Sequence, residues 1–106
     1  MAERLAGAAK LPRGELQRFE IDGFPICVAH VESGRFLAVA DTCSHEDQSL
    51  SEGWLDGCQI ECPRHHAMFS METGEALSYP AEEPIETFTV AVDGDDLLIE
   101  RGAVAA

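Results

Sequence analysis

The sequence predicts an all-β antiparallel sandwich interrupted in its middle by a loop-rich insertion. Short strand-like runs are separated by glycine-containing turns, at Asp22-Gly23, Glu32-Ser33-Gly34 and Asp93-Gly94. No segment carries convincing helical periodicity. Between Asp41 and Pro84 the regular patterning stops, and Ser, Gly, Asp, Glu and Pro take over. A long irregular stretch inside a small domain is unusual and is commonly functional.

Taken in order, Leu11-Pro12-Arg13-Gly14 reads as a turn, and Glu15 to Ile21 as a strand. Asp22-Gly23 is a hairpin signal, because glycine tolerates the positive φ of a tight turn. Phe24 to His30 runs back, and Arg35 to Ala40 follows as a mostly apolar strand. Beyond the insertion, from Ile85, Phe88, Val90 and Val92 alternate with Thr87, Thr89 and Ala91, the pattern of a half-buried strand. Asp93-Gly94 turns the chain, and Leu97 to Glu100 closes the sheet. Ala2 to Lys10 is expected to form no more than a turn, and the Ala-rich tail from Gly102 to Ala106 to fray.

A chain of 106 residues favours one domain, spanning 1–106, with one modest core. It is short for an enzyme with its own substrate pocket and ample for a cofactor carrier. Acidic residues outnumber basic ones twenty to seven, for a formal charge of −13. Nucleic-acid binding needs the opposite sign, because phosphate contacts come from Lys and Arg. A protein partner with a basic surface fits better, since opposite fields speed encounter; simple solubility accounts for the charge equally well. No run of 18 apolar residues offers a membrane span, and Met1 to Lys10 lacks the apolar stretch of a signal peptide. The expectation is a cytoplasmic protein. Structural disulfides are rare there, so the four cysteines are expected to bind metal, react or lie buried rather than pair.

The insertion holds three of the four cysteines and three of the four histidines. Two short motifs stand out: Cys43-Ser44-His45 and Cys62-Pro63-Arg64-His65, with sixteen residues, 46–61, between His45 and Cys62. Each motif offers one thiolate and one imidazole. Two sulfur and two nitrogen ligands suit zinc or an iron–sulfur centre. A zinc finger groups its cysteines in one pair and its histidines in another. Here each loop mixes the two types, which suits a two-iron cluster reached from two loops.

With these motifs the chain resembles the Rieske family, whose pattern is Cys-x-His, roughly sixteen residues, then Cys-x-x-His. Leu50-Ser51-Glu52-Gly53 between the motifs and Thr73-Gly74 after them also match, and the resemblance runs from about Leu5 to Glu100. It is close to the ferredoxin components of bacterial aromatic-ring-hydroxylating dioxygenases. The resemblance implies a Rieske-like antiparallel β-sandwich with a cluster-binding subdomain at about 41–84. It implies one [2Fe–2S] cluster, with Cys43 and Cys62 on the inner iron and His45 and His65 on the outer, surface-near iron. It also implies an electron carrier without catalytic residues. This carrier would take electrons from an NAD(P)H-dependent flavoprotein reductase to a terminal Rieske non-haem iron oxygenase, working as a monomer. The competing readings are a zinc-stapled module, a relative of nitrite-reductase small subunits, and a carrier for another oxygenase or a redox sensor.

Other residues have plainer readings. Cys27, between Ile26 and Val28, is expected to be a small buried residue. His30 reads as an ordinary surface or edge histidine, Trp54 and Phe69 as packing residues of the cluster subdomain, and Met68 and Met71 as gap-fillers. Cys58 has no assigned role. Pro80 or Pro84 is a candidate for the proline-containing loop that screens the cluster in the family, with termination of the loop before Ile85 as the alternative.

The departures from the family are informative. Respiratory-type Rieske proteins brace the cluster with a disulfide whose matching positions here are about Gln48 and Arg64, so that link is absent. His66 stands where the family usually has Gly; histidine tolerates positive φ better than most residues, and the spacing favours His65 as the ligand. Where those proteins place Ser and Tyr hydroxyls against the cluster sulfurs, this chain has Ala67 and Phe69. Losing those donors removes stabilisation of the reduced, electron-rich state. The expected reduction potential is therefore near the low end of the Rieske range, on the order of −150 mV. Protein-film voltammetry of the cluster-loaded protein measures it, and a clearly positive value contradicts the argument.

Overall fold

The computed structural model describes residues 3–21, 23–42, 49–63, 67–78 and 83–101. A six-stranded antiparallel sheet contains β1 (Glu3–Leu5), β2 (Leu16–Ile21), β3 (Phe24–His30), β4 (Phe36–Ala40), β8 (Thr87–Asp93) and β9 (Asp96–Arg101), in the order β1-β9-β8-β4-β3-β2. A second sheet contains β5 (Trp54–Asp56), β6 (Gln59–Glu61) and β7 (Met68–Ser70), in chain order.

All three hairpins of the main sheet form where the sequence places them, the β3–β4 one with His30 opposite Phe36. β2 turns into β3 with Ile21 opposite Phe24, and Gly23 has φ 80°. β8 turns into β9 with Asp93 opposite Asp96, and Gly94 has φ 63°. These positive φ values are the reason for glycine at each turn.

Strand β3 is buried on both faces, which is why Ile26-Cys27-Val28-Ala29 is continuously apolar instead of alternating. Ile26 and Val28 point into one core with Leu5, Ala8, Leu11, Ala38, Phe88, Leu97 and Ile99. This core joins residues of β1 and β9 to residues of β3, so the sheet curls around it. Cys27 and Ala29 point into a second core with Val31, Val39, Leu50, Ile60, Cys62, Ala67, Phe69, Met71 and Ile85. The second core belongs to both sheets.

The N-terminus is more ordered than the expected turn. β1 pairs with β9, Glu3 opposite Ile99 and Leu5 opposite Leu97, and a short 3-10 turn follows at Ala8–Lys10. Side chains clip this edge in place: Arg4 donates to Asp93 and Asp96 at 2.7 and 2.8 Å, and the Gly7 N–H donates to Asp96 at 2.8 Å. The Gly7 N–H first, and Arg4 second, hold the Asp96 carboxyl below its ordinary value. The tail from Gly102 lies outside the described residues.

The middle of the chain is also more regular than expected. A 3-10 turn at Leu50–Glu52 leads into the three strands of the second sheet. Each strand is only three residues long, too short to display alternation in the sequence. One signal was present: Asp56-Gly57 is a hairpin dipeptide, with Asp56 opposite Gln59 and Gly57 at φ 62°.

Candidate metal centre

Of the four proposed ligands, Cys62 is described; Cys43, His45 and His65 lie outside the described residues, as do His66, Gln48, Arg64 and Pro80. The structure describes the segments on either side of these stretches. Cys62 follows directly on β6 and is fully buried in the second core. Its N–H donates to the Ala67 carbonyl at 2.7 Å, which draws the two ends of 62–67 together. The other motif lies between Thr42 and Ser49, which form an isolated antiparallel bridge. Both motifs thus sit in short stretches pinned at their feet.

The segment that leaves the first pair of feet runs close against the second motif's approach. At Gly53, after the 3-10 turn that ends the first set, an added Cβ would overlap the Glu61 carbonyl oxygen and lie 3.0 Å from Pro63 Cδ. Glu61 and Pro63 flank Cys62. Glycine is needed here for close approach rather than for turn geometry, since its φ is −89°. The donor types of the two motifs, with the Cys62 thiol buried in an apolar core, suit a two-iron cluster.

Gly74 has a comparable role further on. It combines φ 79° with a site where a Cβ would overlap the Ile85 carbonyl oxygen. Its own carbonyl accepts the Ile85 N–H at 2.8 Å. The stretch after the second motif is thereby fastened to the strand that returns to the main sheet. Pro84 is exposed immediately before Ile85.

Around the site, Ala67 and Phe69 are fully buried, and neither carries a hydroxyl. Phe69 and Met71 pack in the core as expected, and Met68 is half-buried. Trp54 does not pack inside: it is 52% exposed, on β5 opposite Glu61, because β5 is an edge strand and Leu55 takes the inward-facing position. Cys27 is buried, and burial first, with the Asp41 charge second, pushes its thiol pKa up, which makes it inert. Cys58 sits at the β5–β6 turn, its Sγ accepting from Arg35 at 3.6 Å while Arg35 also pairs with Glu72 at 2.7 Å. His30 is half-buried, its Nδ1 2.6 Å from the Leu11 carbonyl oxygen and its ring stacked on Phe36. It is a structural residue rather than a surface one.

The sequence reading missed Asp41. It is 2% exposed at the end of β4, and it binds the far foot of the first motif through Ser49 and the Ser51 N–H. Nothing in an Ala-Asp-Thr string distinguishes a buried carboxylate from a solvated one.

Replacing Gly53 by Ala is expected to destabilise the protein by about 1–3 kcal/mol, because the clashing atom is backbone and cannot rotate away. A lower denaturant midpoint for Gly53→Ala checks this; an unchanged midpoint contradicts the close approach.

Comparison with known proteins follows the same line. The Rieske [2Fe–2S] domain family matches residues 3–89. The ferredoxin component of biphenyl 2,3-dioxygenase from Rhodococcus jostii (strain RHA1) is 43% identical over 97 residues, covering 92% of this chain and 90% of that protein. The ferredoxin of carbazole 1,9a-dioxygenase from Nocardioides aromaticivorans IC177 aligns with a TM-score of 0.87 at 28% identity, covering 95% of this chain and 98% of that one. A ferredoxin in complex with its oxygenase, also from a carbazole 1,9a-dioxygenase, aligns with a TM-score of 0.86 at 33% identity over 96% of each chain. The chain belongs to the Rieske [2Fe–2S] domain family, and its kinship with dioxygenase ferredoxins makes it an electron carrier with one [2Fe–2S] cluster rather than an enzyme in its own right.

Proposed function

We propose that Cys43 and Cys62 hold the inner iron of the cluster and His45 and His65 the outer one, and that the chain works as a monomeric cytoplasmic carrier in an aromatic-ring dioxygenase system. Electrons arrive from an NAD(P)H-dependent flavoprotein reductase and leave to a terminal Rieske non-haem iron oxygenase. The chain acts as one unit over 1–106, with its cluster-binding part at about 41–84. The observation that carries this reading is the close approach of Gly53, in the segment that follows the first motif, to Glu61 and Pro63 on either side of the buried Cys62.

The bound cluster supplies one-electron redox chemistry. The residues of the chain do the rest. Cys62 is buried in an apolar core, and Ala67 and Phe69 in that core bring no hydroxyl to it. The two imidazoles provide the exit toward a partner. The formal charge of −13 favours transient docking on a basic surface, where encounter is fast and salt-sensitive. Kinship with a biphenyl dioxygenase ferredoxin, and alignment with a ferredoxin seen in complex with its oxygenase, support an oxygenase as acceptor. Among the described residues no helix is long and apolar enough to cross a membrane.

Anaerobic stopped-flow mixing of the dithionite-reduced protein, freed of excess reductant, with an oxidised biphenyl-type terminal oxygenase tests the transfer step. The expected outcome is reoxidation within the mixing experiment, slowing as salt is raised. A protein that stays reduced over minutes at every ionic strength contradicts the reading.

A further inference from the structure

Asp41 is the one buried charged side chain among the described residues, at 2% exposure. An uncompensated carboxylate in such a place is costly, so its partners are informative. One carboxylate oxygen accepts the Ser51 N–H at 2.8 Å; the other accepts the Ser49 hydroxyl and lies 3.5 Å from Arg18 Nε. Ser49 and Ser51 hydroxyls are 2.8 Å apart. The backbone joins in: the Leu50 N–H donates to the Asp41 carbonyl at 2.6 Å, and the Asp41 N–H donates to the Pro25 carbonyl at 3.1 Å.

Apart from Pro25 and Arg18, these hydrogen bonds run from Asp41 to residues 49–51. Asp41 stands two residues before Cys43, and Ser49 closes the same stretch from its other side through the bridge to Thr42. The Asp41 side chain therefore ties the entry of the stretch that carries the first motif to its exit and reaches Arg18 on β2, while the Asp41 backbone N–H is fixed to Pro25 of β3. An apolar residue would fill the same space at lower desolvation cost. A carboxylate adds fixed directions for two donors, which is what positions a loop.

We propose that Asp41 is the positioning residue of the first ligand loop, acting through Ser49 and the Ser51 N–H to hold Cys43 and His45 at the cluster; this rests on the ligand assignment proposed above. The effect is carried by hydrogen bonds, so Asn, which keeps an acceptor for the Ser51 N–H and a donor for the Ser49 hydroxyl, substitutes for Asp. Ala does not.

The test uses the cluster-loaded full chain and four variants, Asp41→Ala, Asp41→Asn, Ser49→Ala and Cys43→Ser. Readouts are the rate of iron release to a chelator, the EPR line shape after reduction, and far-UV circular dichroism as a control on the sheets. In Asp41→Ala, iron release is expected to be about tenfold faster, the size of effect seen when an outer-shell partner is lost, with a broadened EPR signal. Asp41→Asn restores both readouts to within about twofold of the parent, and Ser49→Ala falls between them. Wild-type release and line shape in Asp41→Ala overturn the proposal, as does Asp41→Asn behaving like Asp41→Ala. If Asp41→Ala does not fold, Ser49→Ala decides, and parental behaviour there overturns it. Cys43→Ser separates the two levels: an unaltered cluster in that variant sinks the ligand assignment itself, whereas its loss beside an indifferent Asp41→Ala sinks only the clamp.

Discussion

The architecture depends on the pairing of β4 with β8. Ala38 lies opposite Phe88 and Val39 opposite Thr87, and the Ala40 N–H donates to the Glu86 carbonyl at 2.8 Å. Everything between Asp41 and Ile85 is therefore an excursion that leaves and re-enters the main sheet at neighbouring points. Closing so long a loop costs conformational entropy, although the cost grows only slowly with length. The excursion offsets it by building a small sheet of its own and by burying Leu50, Ile60, Phe69 and Met71 against the second face of β3 and β4. Described segments that flank the two motifs, at Gly53 and at Glu61 and Pro63, come together because both halves of the excursion must return to the same place.

The two faces of β3 divide the work. Ile26 and Val28 hold the curled sheet together around one core, while Cys27 and Ala29 belong to the core from which Cys62 emerges. The Cys62 thiol is thus rooted in the same close-packed interior that orders the main sheet. Close packing resists displacement, which suits a centre that must change charge without moving its ligands. At the rim of this core two glycines are set by contact: Gly53 lies against Glu61 and Pro63, and Gly74 lies against Ile85.

What the sequence made legible follows from how each element is stabilised. The long strands β2, β3, β4, β8 and β9 announce themselves through alternation or apolar runs and through glycine at the hairpins. The strands β1, β5, β6 and β7 do not, because three residues display no period and their order comes from tertiary pairing, as with Glu3 opposite Ile99. The two Cys–His motifs were conspicuous in the sequence because they set rare residue types at a fixed spacing. Asp41 was not, since its role is created by Ser49 and Ser51 arriving from the far side of a loop. Trp54, expected to pack in the cluster subdomain, is half exposed on an edge strand, a matter of which face of β5 meets the core.

The most direct test is the iron, acid-labile sulfide and zinc content of anaerobically purified protein, with EPR after dithionite reduction. The account predicts about two irons and about two sulfides per chain, and a reduced spectrum of mixed histidine and cysteine ligation. About one zinc and no sulfide, persisting after reconstitution with iron and sulfide, would contradict it and leave a metal-stapled interaction domain.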